Sequence, residues 1–241
     1  MDEKTEEFAL KTVKSDVLDK LSIERINTEF FYILKEKNTV KMLQRLKELG
    51  LLQKVYPEMD LSDQLINLME NSDTQWEDFY IGLINKKNID KILIYLLVLY
   101  SNMSVDKAHA SVERMRLKRE FKDEILRFIA VRDLNLPVLV AEGNLSNYDV
   151  YSMFTGLSLE SLYVISIMFD DRVRDVVLAY INNLSQIKTE ITGKDIVKLG
   201  IEPGPEIKRI LQAVLKEKIN GKIITYDDEI NFAKKLLEQE N

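Results

Sequence analysis

The sequence has no cysteine, a single histidine and a single tryptophan, and only eight glycines and four prolines among 241 residues. Without cysteine there can be no disulfide framework and no thiolate-bound metal, a usage that suits a reducing compartment. His109 has no second imidazole and no thiol to work with, so a zinc site or an HD-type phosphohydrolase centre is excluded. It reads as a structural or solvent-facing residue. Long apolar runs are missing as well: the longest covers residues 92–100, far short of the ~20 that a membrane-crossing helix requires. The chain begins with acids (Asp2, Glu3, Glu6, Glu7), the reverse of the basic start of a secretory leader. A cytoplasmic location and no membrane contact are the expectation. No polar–apolar alternation lasts more than a few residues, so strands are not expected either.

What is present is helical periodicity. The content of 46% hydrophobic and 31% charged residues suits a folded chain with one large or two small cores. Apolar positions predict an amphipathic helix over residues 8–21, a second after Ser22 and a third after Asn38 that stops at Gly50. Ser72-Asp-Thr-Gln75 has the pattern of a capping box ahead of Trp76, Phe79 and Leu83. Residues 92–100 are apolar on every side, which marks a buried central helix. Leu134-Asn-Leu-Pro137 and Glu142-Gly-Asn144 interrupt the pattern. Helices over 145–157, 158–169 and 171–187 follow, and Thr225-Tyr-Asp-Asp228 opens the last one. The expected fold class is all-α. The expected division is 1–57, 58–138 and 139–241.

Five of the twelve glycine and proline residues fall between Gly193 and Pro205. Thr192 is placed to cap a short helix over 193–199, Gly200 to end it, and Pro205 to open the next. The result is a helix–hairpin–helix-like corner whose amides at Gly204, Glu206 and Ile207 are expected to point outward, as a phosphate would require. Lys194, Lys198, Lys208 and Arg209 flank it. The net charge of −6 speaks against a general nucleic-acid binder. Locally, however, residues 184–222 carry eight bases against five acids, enough for weak, salt-sensitive binding of a shaped RNA. A second basic cluster, seven bases against five acids over 113–133, includes Arg116. On a continuous helix it would place Arg114, Lys118 and Lys122 on one face. A solvated face laced with Glu120, Asp123 and Glu124 is the stronger reading there.

The run from Ile191-Thr-Gly-Lys-Asp-Ile196 through Gly200-Ile-Glu-Pro-Gly-Pro-Glu-Ile-Lys-Arg-Ile-Leu211, followed by Gly221-Lys222 and Thr225, resembles the tail of bacterial CCA-adding tRNA nucleotidyltransferases and related A-adding and poly(A) polymerase-like enzymes. Leu21-Ser-Ile-Glu-Arg-Ile26, Glu29-Phe30, Leu49-Gly-Leu-Leu52 and Val55-Tyr-Pro-Glu58 resemble the neck and RNA-binding segment of that family, in the same order. The resemblance implies a neck, body and tail that grip the acceptor stem and elbow of tRNA, with Arg25 facing RNA or a catalytic head. An exposed Arg25 paired with Glu29 one turn on fits the sequence equally well. The family's head carries a Gly-rich loop, an Asp-x-Asp pair for Mg²⁺ and an Arg-Arg-Asp segment, and its neck a Glu-Asp-x-x-Arg motif that reads CTP or ATP. None of these is found in this sequence. Asp170-Asp-Arg-Val-Arg-Asp175 is only superficially similar and reads as a solvated helix start. The expectation is therefore a fragment or headless relative without catalysis of its own, its Mg²⁺ and nucleotide belonging to a head outside it. A helical protein-interaction module without an RNA role, or a duplex-DNA binder acting through the corner, would also fit the residues.

Overall fold

The computed structural model describes residues 3–15, 17–84 and 88–238. It is 73% helical, with no strand among the described residues. The helices run α1 (Glu3–Lys14), α2 (Ile23–Lys35), α3 (Thr39–Glu48), α4 (Leu51–Val55), α5 (Asp63–Thr74), α6 (Trp76–Ile81), α7 (Lys91–Tyr100) and α8 (Val105–Arg114). They continue as α9 (Arg119–Arg132), α10 (Leu136–Glu142), α11 (Asn147–Phe154), α12 (Leu159–Met168), α13 (Asp171–Asn182), α14 (Gly193–Lys198), α15 (Pro205–Ile219) and α16 (Tyr226–Glu238). Short 3₁₀ turns lie at Leu18–Lys20 and Leu184–Gln186.

Most of these helices start where a short polar side chain can satisfy a free amide. Ser22, Ser62, Asp90, Ser104, Ser146, Ser158 and Asp170 each accept a hydrogen bond from a first-turn N–H. Gly50 and Gly143 end α3 and α10 in the left-handed conformation, with φ of 74° and 68°.

Helix α7 is the centre of the main core. Every residue from Ile94 to Tyr100 is buried, and α2, α5, α9 and α12 pack around it. Helix α12 is likewise buried from Ser161 to Ser166. The tyrosines sunk here find partners for their hydroxyls: Tyr163 donates to Ser72 O at 2.8 Å, Tyr56 to Asn27 Oδ1 at 2.7 Å, and Tyr100 pairs with Ser111 Oγ at 2.8 Å. Burial pushes all three phenols far above their ordinary pKa. No buried side-chain polar atom among the described residues lacks a partner. This core draws on residues from 30 to 184 together with Ile219. A second, smaller core is confined to Ile191, Ile196, Ile210, Val214 and Ala233 with their half-buried neighbours.

Four sequence expectations are corrected. The first helix ends at Lys14, and Phe8, Val17 and Leu21 stand exposed rather than forming one buried face; residue 16 lies outside the described residues. Ser72 does not open a helix. It is buried inside α5, where its hydroxyl donates to Met69 O at 2.7 Å, so it satisfies the preceding turn instead of capping the next. The helix expected over 171–187 ends at Asn182 and is followed by the second 3₁₀ turn. Arg114, Lys118 and Lys122 do not share a helical face, because the chain turns between α8 and α9 at Arg116, whose φ is +46°.

The centrality of α7 has a measurable consequence. Leu97→Ala should cost ~2–5 kcal/mol in denaturant unfolding, since a fully buried leucine leaves a cavity. Phe8→Ala, at 72% exposure, should stay within ~0.5 kcal/mol.

Candidate nucleic-acid interface

The corner forms as the residue pattern dictates. Thr192 N and Oγ1 donate to Asp195 Oδ2 at 3.0 and 2.8 Å, the reciprocal capping box that starts α14. Gly200 then takes φ +98°, a left-handed position that closes the short helix. Gly193 touches the next helix closely: a Cβ there would lie 3.2 Å from Ile207 Cγ2, a tight contact that the Ile207 side chain would have to yield to by a few tenths of an ångström. Gly204 precedes Pro205 with φ 175°, which is extended backbone open to any residue, so no strain attaches to a side chain at that position.

The expected amides are only partly free. Gly204 and Glu206 N–H make no hydrogen bond among the described residues, whereas Ile207 N–H donates to Gly204 O at 3.2 Å. Ile207 therefore leaves the outward-pointing set, because α15 begins with a tight 3₁₀-type bond.

The flanking cations divide into two kinds. Lys198 bonds Asp195 Oδ1 at 3.0 Å, and Arg209 forks onto Glu206, with NH2 2.5 Å from Oε1. Asp195 is held at about 2, below its ordinary value near 3.8, by the Thr192 backbone amide, the Lys198 ammonium and the Thr192 hydroxyl. The Arg209 guanidinium lowers Glu206 in the same direction. Lys194 and Lys208 are exposed and make no ion pair among the described residues. Lys188 is equally unpaired. The unpaired cations flanking the corner are thus these three lysines, and the exposed Glu202 is an unpaired acid within it among the described residues.

A feature the sequence reading missed holds this corner in place. Glu229 of α16 is fully buried, and its carboxylate accepts from Glu190 N and Ile191 N at 2.9 Å each and from Lys218 Nζ at 2.5 Å. Lys218 also bonds Glu190 Oε1 at 2.9 Å. The sequence carried a signal: position 229 lies on the same face of α16 as Ala233 and Leu237, where an apolar residue would be usual. A carboxylate there requires partners inside the fold.

Beside the corner runs a shallow groove of about 420 Å³, lined by Thr189, Gly204, Ile207, Lys208, Leu211, Gln212 and Leu215. The other two residues expected to touch RNA lie elsewhere. Arg116 NH1 bonds Glu24 Oε1 at 2.5 Å, next in the chain to Arg25. Arg25 itself stands at the mouth of an apolar cavity of about 390 Å³ walled by Leu18, Ile26, Phe30, Leu52 and Tyr56, with Glu29 also lining it. Arg25 and Glu29 form no salt bridge. The structure therefore gathers Lys194, Lys198, Gly200, Gly204, Lys208 and Arg209 at one corner, and puts Arg25 and Arg116 beside Glu24. In the second basic cluster, Arg114 bonds Glu58 at 2.9 Å, Lys122 bonds Glu113, and Arg127 bonds Gly156 O at 2.9 Å. Six of its seven bases are engaged within the fold, and Lys118 alone is exposed without an ion pair among the described residues.

Residues 1–62 match the family model of a probable RNA and SrmB-binding site of polymerase A, and residues 87–233 match that of a putative tRNA nucleotidyltransferase domain 2. The A-adding tRNA nucleotidyltransferase of Geobacter sulfurreducens is 29% identical over 240 residues, 96% of this chain but 27% of that protein. A CCA-adding enzyme solved with CTP superimposes with a TM-score of 0.75 at 21% identity, covering 100% of this chain and 56% of the other. The Thermotoga maritima CCA-adding enzyme complexed with tRNA gives 0.69 at 21% identity, with 98% and 57% covered. At such identities the solved structures show a shared fold. The chain spans about a quarter of the curated relative it matches and a little over half of these solved chains.

The capping box makes the corner acid-sensitive. Because the folded pKa of Asp195 is depressed, its stabilising contribution is present above the ordinary value near 3.8 and is lost as pH falls toward about 2. Amide exchange of α14 should accelerate as pH is lowered through this window, after correction for intrinsic rates. Asp195→Asn should exchange faster than wild type at pH 7 and lose this dependence.

Proposed function

The chain belongs to the tRNA nucleotidyltransferase domain 2 family, and from that premise we propose that it is the part of a 3′-end CCA- or A-adding enzyme that grips the acceptor stem and elbow of tRNA in the cytoplasm. The observation that carries the reading is the corner. Three unpaired lysines and two free amides sit together on a protein whose net charge is −6, and the buried Glu229–Lys218 pair anchors the backbone leading to them. Such an arrangement suits the backbone of a folded RNA, which is read by shape and phosphate rather than by base edges. Lys198 and Arg209 contribute less charge because each is already neutralised by its own carboxylate. Arg25 and Arg116 belong to a second, separate surface that faces RNA or a catalytic head.

Nucleotide addition in this reading resides in a head beyond these residues, where Mg²⁺ and CTP or ATP bind. Among the described residues no three carboxylate or imidazole groups converge. The proposed division of labour is a neck over 1–57, a body over 58–138 and a tail over 139–241.

Binding should be modest, ~1–100 μM for tRNA, and should fall steeply with salt. Replacing Lys194 and Lys208 together by alanine should weaken it and flatten the log–log salt slope by up to about two units, since each phosphate contact contributes a little under one. Lys118→Ala with Lys122→Ala is the matched control and should change little. If tRNA and an unstructured RNA of equal length bind alike, or the corner variant binds like wild type, the corner is a structural joint and a protein-docking role takes precedence.

A further inference from the structure

The first turns of α15 present two parallel rows. Ile207, Leu211 and Leu215, four residues apart, form an apolar floor that rises over about 12 Å of helix. Gly204, Lys208 and Gln212, also four apart, form the exposed rim, and Thr189 stands opposite. The Thr189 and Gln212 side chains make no hydrogen bond among the described residues, and the Lys208 ammonium has no carboxylate partner there. None of the residues lining the groove is acidic. Of the acids nearest in sequence, Glu206 is engaged with Arg209 and Glu190 with Lys218, while the exposed Glu202 makes no ion pair among the described residues. The Thr189 wall is held rigidly, because the next two amides donate to the buried Glu229 carboxylate. The groove is therefore a fixed trough with an apolar floor, hydrogen-bonding groups on both sides and an unneutralised cation at its rim.

We propose that this groove seats an unpaired nucleotide of RNA, its base lying against Ile207, Leu211 and Leu215 and its phosphate beside Lys208. A paired helix has its bases stacked inside and offers nothing to an apolar floor. An unpaired nucleotide carries both an apolar face and a base edge for Thr189 and Gln212 to contact, and brings its own negative charge. Charge complementarity favours the occupant: Lys208 is the only charged residue lining the groove and has no ion pair among the described residues, which suits a polyanion. The volume of about 420 Å³ falls in the range of small-ligand sites. The proposal rests on the RNA-binding reading above and sharpens it, since it makes the corner a reader of loops as well as of phosphates.

The experiment compares an RNA stem–loop with a blunt duplex of the same total nucleotide number, using the full chain with labelled isoleucine and leucine methyls. The stem–loop should bind roughly tenfold tighter, at the low end of what one base gains on an aromatic platform, because the floor here is aliphatic and the base is held by apolar and edge contacts. Its addition should shift the methyl signals of Ile207, Leu211 and Leu215, while the duplex should leave them nearly unmoved. Thr189→Ala with Gln212→Ala, which alters unengaged side chains, should reduce the loop preference to less than about threefold and leave duplex affinity unchanged. Equal affinity for loop and duplex, with tRNA still bound through Lys194 and Lys208, would overturn the nucleotide seat and leave the phosphate-binding corner standing. Failure of tRNA, stem–loop and duplex alike to bind would overturn both readings. A third contradicting result is an acidic amphipathic peptide that shifts the same methyls at lower concentration than the stem–loop, which would make the groove a protein site.

Discussion

Helix α15 belongs to both hydrophobic cores, and the geometry of the candidate interface depends on that double membership. Its last residue, Ile219, packs in the main core with Leu215 against it, and Ile210 and Val214 form the centre of the smaller one. The loop after it is tied to α11 by Asn147 Nδ2 on Ile219 O at 3.3 Å and Tyr148 N on Asn220 Oδ1 at 3.0 Å. Its first turn carries the free amides and the rim of the groove. A small cluster of five buried side chains could not fix a corner by hydrophobic burial alone. Continuity with the large core and the buried Glu229–Lys218 pair supply the rest. Burying that pair sacrifices hydration, which the two backbone amides and the second carboxylate of Glu190 offset.

The same logic separates cations that bind from cations that hold. Arg132 reaches Tyr100 O and Ser101 O at 3.1 and 3.0 Å, and Arg127 reaches Gly156 O. These side chains bind carbonyls at helix ends and leave little charge to offer a partner. At the corner Lys188, Lys194 and Lys208 have no such employment. Charge counted along the sequence makes the two basic clusters look similar, at +3 and +2 by the counts above. Charge left over after internal pairing makes them different.

Much of this was legible from the residues. Continuous apolarity over 92–100 predicts the buried α7, and the Ser and Asp caps place most helix starts, because these signals are local. The turn at Gly200, the start at Pro205 and the cap at Thr192 follow from backbone chemistry in the same way. Ser72 misled because its neighbours imitate a capping box, while the side chain is drawn inside α5 by packing that no local pattern records. The face expected for Arg114, Lys118 and Lys122 assumed an unbroken helix, and a positive φ at a non-glycine residue, Arg116, is not readable from composition. The groove and the partners of Glu229 were not read because they join segments distant in sequence, Thr189 to the α15 residues after Gly204 and Glu190 to Glu229 thirty-nine residues on, and only the folded chain brings them together.

The central claim is that RNA engages this chain through the corner. Amide hydrogen exchange with and without saturating tRNA tests it directly. The account predicts added protection concentrated in residues 188–215, including Gly204 and Glu206, with α8 and α9 unchanged. Protection spread over residues 113–133, or none at the corner while tRNA is bound, would contradict it.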